Sequence, residues 1–96
     1  MKSKTTAKFR ELYAELPEKI RQQAKEAYTL FMADPNHSGL NLEKVLDKRP
    51  VYSVRISQKY RVLGVLVKDQ WTWFWIGDHT KYEQILNKPS KRMPKL

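Results

Sequence analysis

Residues 51–86 read VYSVRISQKYRVLGVLVKDQWTWFWIGDHTKYEQIL, and this stretch decides the fold. Tyr52, Val54 and Ile56 alternate with Ser53, Arg55 and Ser57, the period of a strand with one buried face. Tyr60–Val67 continues as a second strand and Gln70–Ile76 as a third, with Lys68-Asp69 at a tight connection between them. In the third strand Trp71, Trp73 and Trp75 share one face, while Thr72, Phe74 and Ile76 share the other. Both faces of that strand therefore meet something. Gly77-Asp78 ends it, and His79–Leu86 has the spacing of a closing helix with Tyr82, Ile85 and Leu86 inside.

Upstream of this stretch the period is helical. Phe9, Leu12, Tyr13 and Leu16 fall on one face of a helix over 6–16. Pro17 cannot continue that helix but suits the first turn of a new one, and Glu18 opposes the positive end of its dipole. Ile20, Ala24, Ala27, Tyr28 and Phe31 form the second stripe, which ends before Asp34-Pro35. Asp34–Gly39 is dense in turn formers and reads as a loop. The connector Leu40–Pro50 carries apolar residues that suit either a short helix or an extended segment. The resulting order is helix, helix, three antiparallel strands, helix. This is an α+β domain, a helical hairpin packed on a small antiparallel sheet with a C-terminal helix. It occupies residues 1–86 as a single domain, and residues 87–96 read as a basic flexible tail.

Composition narrows the function classes. Ninety-six residues support one modest core. Nineteen Lys and Arg against ten Asp and Glu give a net charge of +9, so a polyanionic partner is expected: nucleic acid, an acidic protein or a membrane surface. The charge is uneven, with ten basic and seven acidic residues over 1–50 but nine basic and three acidic over 51–96. The absence of cysteine excludes disulfide frameworks, thiolate nucleophiles and cysteine-ligated zinc. The apolar runs are of strand length, far too short to span a bilayer, and no signal peptide is visible, so a cytoplasmic protein with no membrane attachment is expected.

Arg55, Lys59 and Arg61 flank the turn between the first two strands. Arg55 is out of phase with Val54 and Ile56 and points away from the face they bury. Arginine grips phosphate oxygens in a bidentate way and lysine acts as a point charge, so the three suit a phosphate site. A solvated basic face is the competing explanation. His79 closes the third strand, and an unperturbed histidine, titrating near ~6.5, exchanges a proton at neutral pH. Tyr82, one helical turn on, shares its opening or packs in the core. His37 sits in the turn-rich loop as a surface residue, and three tryptophans on one strand read as core rather than as a base-stacking platform. Neither a metal-ligand spacing, nor a Gly-rich phosphate loop, nor a G-x-S-x-G nucleophile context is present. No cofactor is expected. What remains suits RNA cleavage without a metal. The 2′-hydroxyl attacks the adjacent phosphodiester, a base takes its proton, cations stabilise the charge growing on the phosphoryl oxygens, and an acid protonates the departing 5′-oxygen.

The strand pair Y-S-x-R-I-S-x-x-Y-R-V and the terminal I-G-x-H-x-x-Y resemble the RelE/ParE superfamily of small toxins from type II toxin–antitoxin systems. Two preceding helices and a basic charge agree, so the likeness covers roughly residues 6–86. The resemblance implies a ribosome-dependent endoribonuclease that cuts messenger RNA, and a cognate antitoxin that wraps the basic surface. It matches Arg61 to the strand arginine that contacts the scissile phosphate. It matches His79 to the histidine of the YoeB-like and HigB-like branches, where it is placed for proton transfer, and sets Tyr82 near their C-terminal aromatic. Arg55 and Lys59 fall on a more variable basic set and are assigned to substrate binding. Glu43 lies near the position of a catalytic glutamate in some YoeB-like members, across a gap. The helix after His79 is longer than in the YoeB-like pattern, and the basic tail is extra. ParE-like relatives share the scaffold but act on DNA gyrase and typically lack the arginine-plus-histidine set. A gyrase-directed toxin, a toxin that has lost activity and a non-catalytic basic RNA- or protein-binding module remain alternatives.

Overall fold

The computed structural model describes residues 2–46 and 48–87, with side chains described as far as Gln84. The basic tail predicted from the sequence thus lies, beyond Asn87, outside the described residues. In chain order the elements are β1 (Lys2–Thr5), α1 (Ala7–Ala14), α2 (Glu18–Ala33), a 3-10 turn (Ser38–Leu40), β2 (Glu43–Lys44), β3 (Val51–Arg55), β4 (Tyr60–Val67), β5 (Gln70–Asp78) and α3 (His79–Asn87). The strands form one sheet in the order β1-β5-β4-β3-β2.

The helical hairpin forms where the sequence places it. Thr6 caps α1, its Oγ1 accepting from the Phe9 amide at 3.1 Å. Pro17 is the N-cap of α2, with Glu18 in its first turn. Arg21 joins the two helices by donating to the Leu16 and Ala14 carbonyls at 2.9 and 3.3 Å, placing a cation where the α1 carbonyls end. Asp34, the residue before Pro35, leaves the helical region at φ −155°, and α2 stops there.

The sheet departs from the sequence reading in three ways. First, it has five strands and is mixed, because β1 pairs in parallel with β5. The segment Lys2–Thr5, KSKT, has no apolar alternation, so no periodic signal exists for it. It is held by the β5 ladder and by Trp73 Nε1 donating to Ser3 Oγ at 2.9 Å. The connector contributes the 3-10 turn, capped by His37 Nδ1 accepting from the Gly39 amide at 3.0 Å, and the two-residue edge strand β2.

Second, the three tryptophans do not share a face. Gly64 pairs with Trp73 and Leu63 with Trp75, which leaves Phe74 as an extra residue on β5. Such a bulge reverses the alternation beyond it. Trp71 and Trp73 face the helices, stacked at 5.1 Å with Phe31 edge-on to both at 5.2 Å. Trp75 turns to the opposite face, among Val51, Leu63, Val65 and Tyr82. Gly64 permits this geometry, since a Cβ there would lie 2.4 Å from Trp73 Cε3.

Third, β3 is covered on both sides, with Val51 and Ser53 buried as well as Val54. Two apolar layers therefore sandwich the sheet. Phe31, Leu40, Val54, Trp71 and Trp73 make the helix-side layer, and the cluster around Leu63, Trp75 and Tyr82 makes the other. A cavity of about 570 Å³ lies in the helix-side layer, lined among others by Phe9, Tyr13, Tyr28, Val54, Val62 and Ile76. Among the described residues, no helix is long and apolar enough to cross a membrane.

Candidate functional site

The register decides which residues meet. Arg55 of β3 is the direct cross-strand partner of Arg61 of β4, and Arg61 is the partner of Gly77 of β5. Since Val54 and Val62 line the helix-side cavity, Arg55 and Arg61 stand on the opposite face. That cavity is thus not where the cations are. Like charges placed directly opposite on a sheet destabilise it. Here, among the described residues, no carboxylate forms an ion pair with either arginine. The Nε atom of Arg55 is buried with no hydrogen-bond partner. A guanidinium N–H withdrawn from water without an acceptor is costly, and an anion would satisfy it.

Arg61 is partly satisfied by its own turn. Its Nη1 donates to the carbonyls of Ser57, Tyr60 and Gln58 at 2.7, 2.9 and 3.3 Å. His79 stands at the same corner. It lies two residues past Gly77, and its amide donates to the Lys59 carbonyl at 2.6 Å. Asp78 Oδ1 accepts from the Lys81 amide at 3.0 Å and so caps the first turn of α3, which His79 opens. The imidazole is solvent-accessible, with 46% of the side chain exposed. Its ring stacks on Tyr82 at 5.7 Å and 27°. Tyr82 itself is 9% exposed and belongs to the apolar layer beneath the arginine face, so the imidazole sits above that layer.

The structure therefore gathers Arg55, Arg61 and His79 on one face at one end of the sheet, with exposed Lys59 in the turn between β3 and β4. Tyr82 occupies a packing position under the histidine. Glu43 lies on the same face, since β2 pairs it with Ser53, but at the outer edge, two strands from Arg61. Two features escaped the sequence reading. Glu83 Oε1 lies 3.6 Å from His79 Nε2, an i,i+4 pair that helical spacing alone would flag. The grip of the turn carbonyls on Arg61 has no sequence signal, because it depends on main-chain directions within a loop. Among the described residues, no group of three or more His, Cys, Asp or Glu is placed to hold a metal ion. Arginine, lysine and histidine side chains can bind an anion here and exchange a proton with it.

Several solved structures share this architecture. The chain resembles the RelB-RelE antitoxin–toxin complex from Methanococcus jannaschii with TM-score 0.68 and 14% identity, over 83% of this chain and 94% of that one. YafQ from E. coli gives TM-score 0.67 at 10% identity, covering 83% and 94%. The YoeB/ParE toxin from Agrobacterium tumefaciens gives 0.67 at 13%, covering 82% and 99%. No curated protein matches the chain. At these identities the structural likeness establishes the fold, an α+β RelE-like arrangement of three helices and a five-stranded mixed sheet. The sequence model of the ParE-like toxin domain matches residues 18–84, from the start of α2 to the middle of α3 and so well over half of the chain. This protein belongs to the ParE-like toxin domain family.

Proposed function

We propose that this toxin domain is a metal-independent, ribosome-dependent mRNA endoribonuclease, acting in the cytoplasm and held in check by a cognate antitoxin that covers the basic face. The reading rests on one observation: two arginines directly opposed across β3 and β4 with no carboxylate counterpart among the described residues, beside a solvent-accessible histidine. Two guanidinium groups opposed on adjacent strands repel each other, a cost to the free protein that a phosphodiester offsets. Arg61, and Arg55 behind it, stabilise charge on the phosphoryl oxygens as the 2′-hydroxyl attacks. Lys59 holds the strand by its phosphate. His79 transfers the proton, and Tyr82 keeps the imidazole in place. Glu43, at the far edge, is given no step.

The test is cleavage of a defined messenger on purified ribosomes, mapped by primer extension. The expected products end in a cyclic 2′,3′-phosphate, and a message with one 2′-deoxynucleotide at the cut survives there. Arrest of growth with intact messenger would overturn the reading.

A second reading, a gyrase-directed toxin, is favoured by the ParE-like family match and by the engagement of Arg61 Nη1 with its own turn, which suits a structural arginine. In that case DNA supercoiling fails before translation does, and a supercoiling assay with purified gyrase separates the two.

A further inference from the structure

The turn between β3 and β4 holds both candidate groups through its main chain. The turn is closed by the Ile56 amide donating to the Tyr60 carbonyl at 3.1 Å, but its inner hydrogen bonds are long: the Ser57 amide reaches the Tyr60 carbonyl, and the Tyr60 amide the Ser57 carbonyl, each at 3.4 Å. The bonds from Arg61 Nη1 to those same two carbonyls are 2.7 and 2.9 Å, and they are charge-assisted. Nη1 carries two hydrogens, so the three contacts are shared among them. The guanidinium, together with the Ile56–Tyr60 bond, therefore sets the path of residues 57–60. That path aims the Lys59 carbonyl at the His79 amide, 2.6 Å away. His79 is the first residue of α3, where an amide has no partner within the helix, so the turn supplies the missing acceptor.

We propose that Arg61 is a positioning residue for His79 as well as an anion ligand, acting through the carbonyls of the 57–60 turn. Guanidinium, turn and the start of α3 form one unit. Loss of the guanidinium releases the Lys59 carbonyl and with it the first turn of α3, so the imidazole loses its fixed place over Tyr82. Lysine does not substitute, because its side chain is one bond shorter and its ammonium falls short of the Nη1 position that meets these carbonyls. The consequence for catalysis rests on the RNase reading; the consequence for the His79 amide does not.

The experiment is amide hydrogen exchange, read by NMR on the full chain, for the parent, Arg61→Gln, Arg61→Lys and Lys59→Ala. Exchange at the His79 amide is expected to rise about tenfold or more in both Arg61 variants, while core amides of β4 and β5 keep their protection. Lys59→Ala removes a side chain but not the carbonyl and should leave His79 unchanged. Unchanged His79 protection in Arg61→Gln, or in Arg61→Lys should the first variant not fold, overturns the proposal. If ribosome-dependent cleavage is found, His79→Gln should cost kcat less in the Arg61→Lys background than in the parent, with KM unaffected by the combination. Strictly multiplicative losses would mean that the two groups act independently. Absence of cleavage bears on the RNase reading alone, since the exchange result stands without it.

Discussion

Arg61 is asked to do two things, and its substitution should show both. Arg61→Ala is expected to lower ribosome-dependent cleavage about 10²- to 10³-fold, the usual cost of removing one preorganised donor to a developing oxyanion. Cleavage within a factor of two of the parent, in a folded variant, would remove Arg61 from the chemistry. His79→Gln should lower the rate, because glutamine keeps the hydrogen-bonding size but cannot exchange a proton. A folded variant that cleaves as fast as the parent would dismiss the histidine. At this scale the alternation of Arg55 with Val54, and of Arg61 with Tyr60 and Val62, is readable from the residues, because a strand's period is fixed by the pleat. The buried Nε of Arg55 and the carbonyls gathered by Arg61 are not, because both depend on packing and on loop main-chain direction.

The bulge between Leu63 and Gly64 and the turn at Lys68-Asp69 govern the elements. Gly64→Ala would press a methyl into the Trp73 ring, and overpacking of this kind costs about 1–3 kcal/mol. Urea denaturation should show it, and an unchanged midpoint would mean that the indole can shift freely. Lys68 and Asp69 both have positive φ, 49° and 64°, in the two-residue hairpin loop. Type I′ geometry favours Asn-Gly there. The pair K68N and D69G is therefore expected to raise stability by about 1 kcal/mol, seen as a higher midpoint at unchanged slope. No gain would argue against that turn type. The sequence marks Lys68-Asp69 as a connection by position alone. The bulge is hidden, because an unbroken Trp-x-Trp-x-Trp alternation gives no sign that one residue will be left unpaired.

For the whole molecule the charge matters most. With a net charge of +9, and with basic residues outnumbering acidic ones nine to three over 51–96, association with ribosomes or RNA should weaken steeply with salt. For contacts to about three phosphates, log Kd should rise with log salt at a slope of about 2 to 3, the range set by single-stranded and duplex targets. Filter binding across a salt series checks this, and a flat response would indicate a protein partner held by apolar contact. The family match covers residues 18–84 and so leaves out β1 and α1, yet β1 shields the outer edge of β5 and supplies Ser3 to Trp73.

Periodicity in the sequence determined by itself the helical hairpin, the three central strands, the closing helix and the face on which the arginines stand. These follow from local physics: side-chain direction repeats every two residues in a strand and every 3.6 in a helix. Tertiary structure decided what has no local period. It placed KSKT as a parallel edge strand, sent Trp75 away from Trp71 and Trp73, and set Arg55 opposite Arg61. It also joined Arg61 to His79 by way of one turn. Each of these depends on register between segments distant in the chain, and register is chosen by the packing of both sheet faces together.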